Sequence, residues 1–338
     1  MKNQNYILIV FVFIALLATQ CKKKDINISN TSSIQYCPDK YMLHSEPYPD
    51  SFVKLDTNFQ HCVSSPMVYD LEEHRYTSPI VNPTNPFEFI FMRSNILQGG
   101  ASYELCVYNF CTNNTKVITE DFAVNSYIDW SVKDWIVFRG ENSDIYKVKS
   151  NGDSLTNLTN TVDLCGDPKW SPSGERLLYY DESNYEYSIC NEDGSVIESF
   201  FVSMDSYDWL DEENLIYLKS MNSNIYLRKF NIQSNTHQDL TVLNNIATAE
   251  PIEVNGSTAF FTTSKGMYKY ESNQTTLIDT NYFTYYSMNP QRLLGSKILT
   301  RRIIGDTTGM SECEYYYGSF LSILDEATGE ERRVKIPE

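Results

Sequence analysis

A tryptophan followed by a short polar turn and an apolar run recurs at a nearly constant interval. Trp130, Trp170 and Trp209 lie 40 and 39 residues apart, and the apolar runs that follow them read WIVF, LLYY and LIYL. After Trp170, the stretch Ser171-Pro172-Ser173-Gly174 places Ser, Pro and Gly at the first, second and fourth positions of a β-turn. Weaker copies are SPIVNPTNPFEFIF, AEPIEVNGSTAFF and YYSMNPQRLLGSKILT. Each copy predicts a strand, a tight turn and a second strand.

A second predicted hairpin follows each copy and brings the repeat to four strands. Two of its turns contain Asn151-Gly152 and Asp193-Gly194, pairs preferred where both central residues of a two-residue turn need a positive φ. The other turns contain Asn113-Asn114, Ser234-Asn235, Asn273-Gln274 and Thr328-Gly329. Four-stranded units of about forty residues are typical of a β-propeller, in which each small sheet packs both faces on its neighbours.

We therefore predict an all-β fold. It is a six-bladed β-propeller of four-stranded antiparallel blades over residues 76–338, preceded by a short irregular extension at 36–75 that packs on it. We expect the three repeated tryptophans to fill the wedges between adjacent blades, where a large flat side chain buries most area. A pair of β-sandwiches is the alternative architecture. How the ring closes stays open, with residues 66–71 as a candidate closing strand.

One stretch resembles a known family of propellers. PKWSPSGERLLYY, followed by YEYSICNEDGSVIESF, resembles the repeat of TolB-like β-propellers, which reads P-x-W-S-P-x-G, an apolar strand, a D-I-Y-like strand and a hairpin. Asp144-Ile145-Tyr146 and Asn224-Ile225-Tyr226 match the second part of that repeat. Only the third predicted blade carries the full pattern, and the fourth has Leu210 in place of Ser. The resemblance covers about residues 76–338 and implies a TolB-like six-bladed propeller.

The first twenty residues have the features of an export signal. A short positive start precedes thirteen apolar residues, Tyr6 to Ala18. As a helix this run rises about 20 Å, too little for roughly 30 Å of hydrocarbon. Cys21 after this run resembles the lipidated cysteine of bacterial lipoproteins, although Gln20 stands where a small residue is usual. We predict a lipoprotein signal peptide at 1–20 and a flexible tether at 21–35. An uncleaved signal anchor and ordinary secretory cleavage are the alternatives.

The cysteine count is consistent with export. Eight cysteines are present, and without Cys21 the remaining seven cannot all pair within the chain. Cys37 with Cys62 and Cys165 with Cys190 are the candidate disulfides. Buried free thiols are the alternative for either pair, because sequence does not determine connectivity.

Composition and motifs narrow the possible functions. The chain has 27 Lys and Arg against 44 Asp and Glu, a net charge of −17, which argues against a nucleic-acid partner. No nucleophile elbow, zincin, Walker or dinucleotide motif occurs, and no spacing of His or Cys suggests a metal site. We therefore assign no catalytic residue, no metal and no cofactor.

In a four-stranded antiparallel blade, the second-to-third and fourth-to-first connections share one face of the disc, called here the loop face. Six basic residues fall on these predicted connections: Arg93, Arg139, Lys219, Lys265, Arg301 and Arg302. We expect them to form a binding face for an acidic peptide or a glycan. The alternative is that these propeller loops are simply polar and solvated.

The predicted function is that of a lipid-anchored, non-catalytic binding or scaffold protein of the bacterial cell envelope, with an envelope protein or peptide as partner. It would lie on the outer membrane, facing the periplasm or the cell surface. The alternative is a glycan-active lyase or hydrolase that uses the propeller channel.

Overall fold

Six antiparallel sheets in a ring form the described part of the chain. The computed structural model describes residues 37, 41, 45–47, 74–95, 103–119, 128–140, 142–161, 164–246, 249–263, 265–279, 290–306 and 315–337. Each sheet is one blade, numbered from 1 to 6 in chain order, and the first strand of each blade is the innermost. The predicted six-bladed β-propeller is confirmed.

The bounds of the strands follow the predicted repeat closely. Blade 1 contains β2 (His74–Val81), β3 (Glu88–Asn95), β4 (Tyr103–Asn109) and β5 (Asn114–Thr119). Blade 2 contains β6 (Ile128–Trp130), β7 (Trp135–Arg139), β8 (Ile145–Lys149) and β9 (Thr156–Asn157). Blade 3 contains β10 (Cys165–Trp170), β11 (Arg176–Asp181), β12 (Glu186–Asn191) and β13 (Val196–Phe200).

The second half of the ring has the same order. Blade 4 contains β14 (Ser206–Trp209), β15 (Asn214–Met221), β16 (Asn224–Asn231) and β17 (Thr236–Asn244). Blade 5 contains β18 (Ala249–Asn255), β19 (Thr258–Thr263), β20 (Gly266–Glu271) and β21 (Gln274–Asp279). Blade 6 contains β22 (Gln291–Arg292), β23 (Lys297–Asp306), β24 (Tyr315–Asp325) and β25 (Glu331–Val334), to which β1 (Ser45–Pro47) adds a fifth strand.

Burial across a blade explains the apolar runs of the sequence. The second strands β11 and β15 are buried on both faces, since neighbouring blades cover them, and they carry LLYY and LIYL. The outermost strand β13 is largely exposed. The continuous apolar runs thus mark second strands, and the polar strands mark the rim.

The turns confirm one expectation and correct another. Gly174 N–H donates to the Ser171 carbonyl at 2.8 Å, which is the predicted β-turn. Gly152 and Gly194 have φ of +90° and +88°, but the Asn and Asp before them do not have positive φ. The expected two-residue turns are therefore wrong. Each glycine instead donates to the carbonyl three residues earlier and ends a four-residue turn.

Each repeated tryptophan lies in an apolar cluster shared with the preceding blade. Neighbours from that blade include Met92 for Trp130, Val137 for Trp170 and Leu178 for Trp209. All three tryptophans are buried. Their rings therefore pack between sheets rather than facing a ligand.

The ring closes through residues near the N-terminus. β1 pairs with β25 of blade 6, and the buried Tyr41 ring stacks on Phe87 of blade 1 at 5.2 Å. Cys37 forms a disulfide with Cys111, which follows β4 of blade 1. These contacts join the last blade to the first. The candidate closing strand at 66–71 lies outside the described residues.

Both candidate disulfides are corrected by the structure. Because Cys37 pairs with Cys111, a bridge to Cys62 is excluded, and Cys62 itself lies outside the described residues. Cys165 and Cys190 are buried free thiols. They lie opposite Asp181 and Leu177, at positions four residues apart on the strand between them. That offset is about 13 Å along the sheet and about 10 Å across it, well beyond disulfide reach.

The N-terminal predictions fall outside the structure. Residues 1–35, with Cys21 and the signal segment, are not among the described residues. In the described ranges, no helix is both long and apolar enough to cross a membrane.

Candidate functional site

The first strands of blades 2 to 6 each place one polar side chain at the same level of the central channel. The position is the one before the repeated tryptophan, as the cross-strand register shows. From blade 2 to blade 6 it is occupied by Asp129, Lys169, Asp208, Glu253 and Gln291. Lys169 Nζ lies 2.8 Å from both carboxylate oxygens of Glu253, which belongs to the next blade but one. These five residues are called here the channel ring. The contact between Lys169 and Glu253 shows that its side chains reach each other across the propeller axis.

The charges of the channel ring are buried and unequal in number. The side chains of Lys169 and Glu253 are 12% and 4% exposed, so their ion pair is shielded from water. Burial would lower the pKa of Lys169, but the Glu253, Asp208 and Asp129 carboxylates hold it above its usual value. Burial raises the pKa of all three carboxyls, and one ammonium cannot fully offset three acids.

Two of these carboxylates bind the backbone of the next blade. Asp129 accepts from Trp170 N–H at 2.6 Å, and Asp208 accepts from Val254 N–H at 2.6 Å. Each bond joins the innermost strands of adjacent blades, so the channel ring holds the strands around the axis. In the ranges the structure describes, no three His, Cys, Asp or Glu side chains form a group that could hold a metal ion.

A cavity of about 180 Å³ opens on the loop face between blades 3 and 4. Its walls include three tyrosines, Tyr180, Tyr187 and Tyr207, and two carboxylates, Asp167 and Asp205. The ring of Tyr187 lies 4.9 Å from those of both Tyr180 and Tyr207. The cavity is thus an aromatic pocket with acidic groups in its wall.

Asp167 links the cavity to the channel ring. It sits in the bulge that shifts the register of β10, with φ of +50°, and Tyr207 OH donates to its carbonyl at 2.5 Å. Ser78 has the same backbone conformation in the bulge of β2, so this φ belongs to the fold of the first strand. Within the described part of the chain, the Asp167 carboxylate accepts no hydrogen bond. Burial raises its pKa to about 7, against the opposing pull of Lys169.

Three of the six predicted basic residues are neutralised by acids. Arg93 pairs with Glu104 at 2.7 Å, Arg139 with Glu182 at 2.7 Å and Lys219 with Asp205 at 3.1 Å. Each pair lies where a second strand ends at the loop face. The predicted cations are therefore held in local ion pairs.

The other three predicted residues differ in their placement. Lys265 Nζ donates to the Asn244 carbonyl at 3.1 Å. Arg301 is buried, with 7% of its surface exposed, and the side chain of Arg302 lies outside the described residues. A binding role for the six residues as a set stays a prediction.

Two exposed aromatic residues lie on the connections that flank the cavity, and the sequence did not single them out. Tyr185 in the β11–β12 connection and Phe201 after β13 are 73% and 72% exposed. Burial is the main cause that raises the pKa of Tyr180, and the neighbouring Tyr185 phenol raises it further. Tyr185 therefore lies beside the cavity wall. Phe201 directly precedes Val202, which lines the cavity. The available signal was a large aromatic residue in each of two predicted connections.

Comparison with known proteins identifies the fold. No family model matches the sequence, and no curated protein sequence matches it. Among solved structures, a protein assigned as TolB from Agrobacterium tumefaciens is similar, with 13% identity and a TM-score of 0.51 over 67% of this chain and 86% of that one. An acylaminoacyl peptidase from Pyrococcus horikoshii is similar at 11% identity and a TM-score of 0.50, over 79% of this chain and 54% of the peptidase. At these identities the likeness establishes a TolB-like propeller fold.

Proposed function

We propose that this chain is a lipid-anchored, non-catalytic binding protein of the bacterial cell envelope. It engages a protein or peptide partner through the loop face of blades 3 and 4. The observation that carries this proposal is the pair of exposed aromatic residues, Tyr185 and Phe201, on the two connections that flank an open aromatic cavity. Aromatic side chains left in water next to a concave site are typical of surfaces that bind a partner.

The chemistry of the channel supports binding over catalysis. The channel-ring carboxylates of Asp129 and Asp208 hold backbone N–H groups, and Glu253 holds Lys169. Groups committed to such contacts are poorly placed to meet a substrate, because they are also shielded from solvent. The cavity, by contrast, opens to solvent on the loop face.

The partner surface can be tested by affinity capture from detergent-solubilised envelope. The mature chain is compared with a Tyr185→Ser, Phe201→Ser double variant and with a Val196→Ser, Ile197→Ser control. The control changes two residues that are 56% and 52% exposed on the edge strand β13. We expect one set of proteins to bind the wild type and the control and to be lost from the aromatic variant. Identical recovery by all three chains would contradict the proposal.

The anchor is tested separately in cells. Cys21→Ala is expected to abolish incorporation of a labelled fatty acid into the protein and to release the chain from the membrane fraction. A Cys190→Ala variant, which removes a buried free thiol, is the control and keeps the label. Label that persists in Cys21→Ala would contradict lipidation.

The second candidate function is a glycan-active lyase or hydrolase. The observation that favours it is the convergence of Asp129, Asp208 and Glu253 in one channel, with the pKa of each raised by burial. A carboxyl kept protonated near neutral pH can act as a general acid. Products released from envelope polysaccharides by the wild type, and lost with Asp208→Asn, would establish this function in place of the binding role.

A further inference from the structure

The loop-face cavity has a surplus of negative charge. Each cation near it already has an acidic partner: Arg139 pairs with Glu182, Lys219 with Asp205 and Lys169 with Glu253. Asp167 is left over as the carboxylate in the cavity wall with no counter-ion within ion-pair distance among the described residues. The sequence had suggested a basic face for acidic ligands. The pairing of charges reverses that preference at this cavity.

The aromatic wall adds a second preference for cations. Tyr180, Tyr187 and Tyr207 surround the cavity, and Tyr185 lies beside Tyr180. The faces of phenol rings attract ammonium groups, and that attraction grows where water is displaced. The hydroxyls of Tyr187 and Tyr207 donate to the carbonyls of Met204 and Asp167. Those donors are engaged within the wall, and the two rings are buried, at 4% and 5% exposed, so Tyr180 is the half-buried tyrosine of the wall that a ligand can reach.

We propose that this cavity binds a primary alkylammonium group, of the kind that ends a lysine side chain of the protein or peptide partner. The group would donate to the Asp167 carboxylate and lie beside the half-buried ring of Tyr180. The volume of about 180 Å³ equals about six water molecules at about 30 Å³ each, which suits the five heavy atoms of an aminobutyl chain. That the ammonium group belongs to a lysine of a protein or peptide partner rests on the proposed function. The preference of the cavity for an alkylammonium group does not depend on that function.

The ionisation of Asp167 gives the proposal a pH signature. The charged groups that act on Asp167 include the cations Lys169 and Arg139 and the acids Glu182 and Glu253, and the same cavity wall carries the Asp205 carboxylate and the Tyr187 phenol. With a pKa of about 7, Asp167 is mostly protonated at pH 5.5 and mostly ionised at pH 8.5. An alkylammonium stays charged over that range, so its affinity should rise by roughly thirty-fold. Binding below pH 7 should also release a proton.

The experiment titrates the full mature chain with n-butylammonium chloride by ligand-observed NMR. Neutral 1-butanol, with the same five heavy atoms, and anionic butanoate, with six, are the probes of similar size. We expect butylammonium to bind at least ten-fold more tightly than either. Asp167→Asn should weaken butylammonium at least ten-fold and flatten the pH dependence, while the exposed control Asp153→Asn leaves both unchanged. Tyr180→Leu, which keeps Asp167, is a second variant expected to weaken binding.

Three results would overturn the inference. They are failure of butylammonium to bind the wild type, equal binding of 1-butanol, and unchanged affinity in both Asp167→Asn and Tyr180→Leu. The fate of the proposed function is separate. If envelope capture depends on Tyr185 and Phe201 while butylammonium does not bind, the partner surface stands and the ammonium site fails. If butylammonium binds and no envelope partner is captured, the ammonium site stands and the partner surface fails.

Discussion

At the scale of single residues, Lys169 is a buried cation that faces three buried carboxylates. It is the cation of the channel ring, and three carboxylates of that ring depend on it. Burying charged groups is costly, and a buried ion pair repays that cost only while both partners are present. Removing the cation should therefore be far more damaging than removing a surface lysine.

We predict that Lys169→Met destabilises the protein in a pH-dependent way. The channel carboxyls have a folded pKa above the unfolded value of about 4, so the folded state binds more protons, and the free energy of unfolding falls as pH rises. Loss of Lys169 strengthens this trend. Urea unfolding should show a loss of about 3–5 kcal/mol at pH 8 and a clearly smaller loss at pH 5. Equal losses at both pH values would contradict the charge argument.

The control for this prediction is Lys116→Met. Lys116 is exposed and donates only to the Asn151 carbonyl. Its loss should change the free energy of unfolding by no more than about 0.5 kcal/mol at either pH.

Two of the repeated tryptophans provide a matched pair for the value of one buried hydrogen bond. Trp209 Nε1 donates to the Lys169 carbonyl of the preceding blade at 3.0 Å. Trp170 Nε1 is buried with no hydrogen-bond partner in the described structure. Substitution by Phe removes similar ring volume at both positions. We predict that Trp209→Phe lowers the free energy of unfolding by about 1 kcal/mol more than Trp170→Phe. Denaturant unfolding measures both, and equal losses would show that the bond contributes nothing.

At the scale of elements, the hairpin turns connect blades as well as strands. The turn between β12 and β13 ends on Gly194, with φ of +88°. A Cβ built there would lie 2.4 Å from the carbonyl oxygen of Leu158 in blade 2. The turn of one blade therefore packs against the backbone of the preceding one. Glycine is needed here for both its φ and its lack of a side chain.

We predict that Gly194→Ala is more destabilising than Gly256→Ala. Gly256 also has a positive φ, of +64°, but a Cβ there would meet nothing within 4 Å. Gly256→Ala should therefore carry only the backbone cost of about 1–2 kcal/mol. Gly194→Ala adds a backbone clash between blades and should cost at least about 1 kcal/mol more. Thermal unfolding of the two variants would reject this account if their losses were the same.

At the scale of the whole molecule, the ring is secured where its ends meet. β1 extends blade 6, while Tyr41 and the Cys37–Cys111 disulfide hold the same segment on blade 1. The Pro337 carbonyl near the C-terminus also accepts from the Thr115 hydroxyl of blade 1 at 3.3 Å. Opening the ring would expose the apolar cluster that blades 1 and 6 share.

We predict that Cys37→Ser with Cys111→Ser lowers the free energy of unfolding by about 2–5 kcal/mol. The cysteines are 74 residues apart, so the bridge constrains a long segment of the unfolded chain. Thr112→Ala at a neighbouring exposed position is the control and should be close to neutral. Denaturant unfolding without reductant measures the effect. An unchanged midpoint in the double variant would mean that the bridge does not secure the ring.

The repeat, the number of blades and the position of most strands could be predicted from the sequence. These features depend on local signals: a turn at Ser171–Gly174, apolar second strands such as β11, and a spacing of about forty residues. The Asn-Gly and Asp-Gly pairs, also local signals, gave a wrong prediction for the turns at Gly152 and Gly194. There each four-residue turn has positive φ at its final glycine and not at the residue before it. A dipeptide does not show how many residues the turn contains.

The candidate site was decided by tertiary structure. Lys169 meets Glu253 across the axis although 84 residues separate them, and only closure of the ring sets that distance. Cys165 and Cys190 remain apart because strand register offsets them, while Cys37 reaches Cys111. Among the described residues, the Asp167 carboxylate has no ion-pair partner, because in the folded ring each neighbouring cation pairs with another acid. The sequence determines which segments form strands and turns, because the interactions that favour them are local. Charge pairing depends instead on which blades the closed ring brings together.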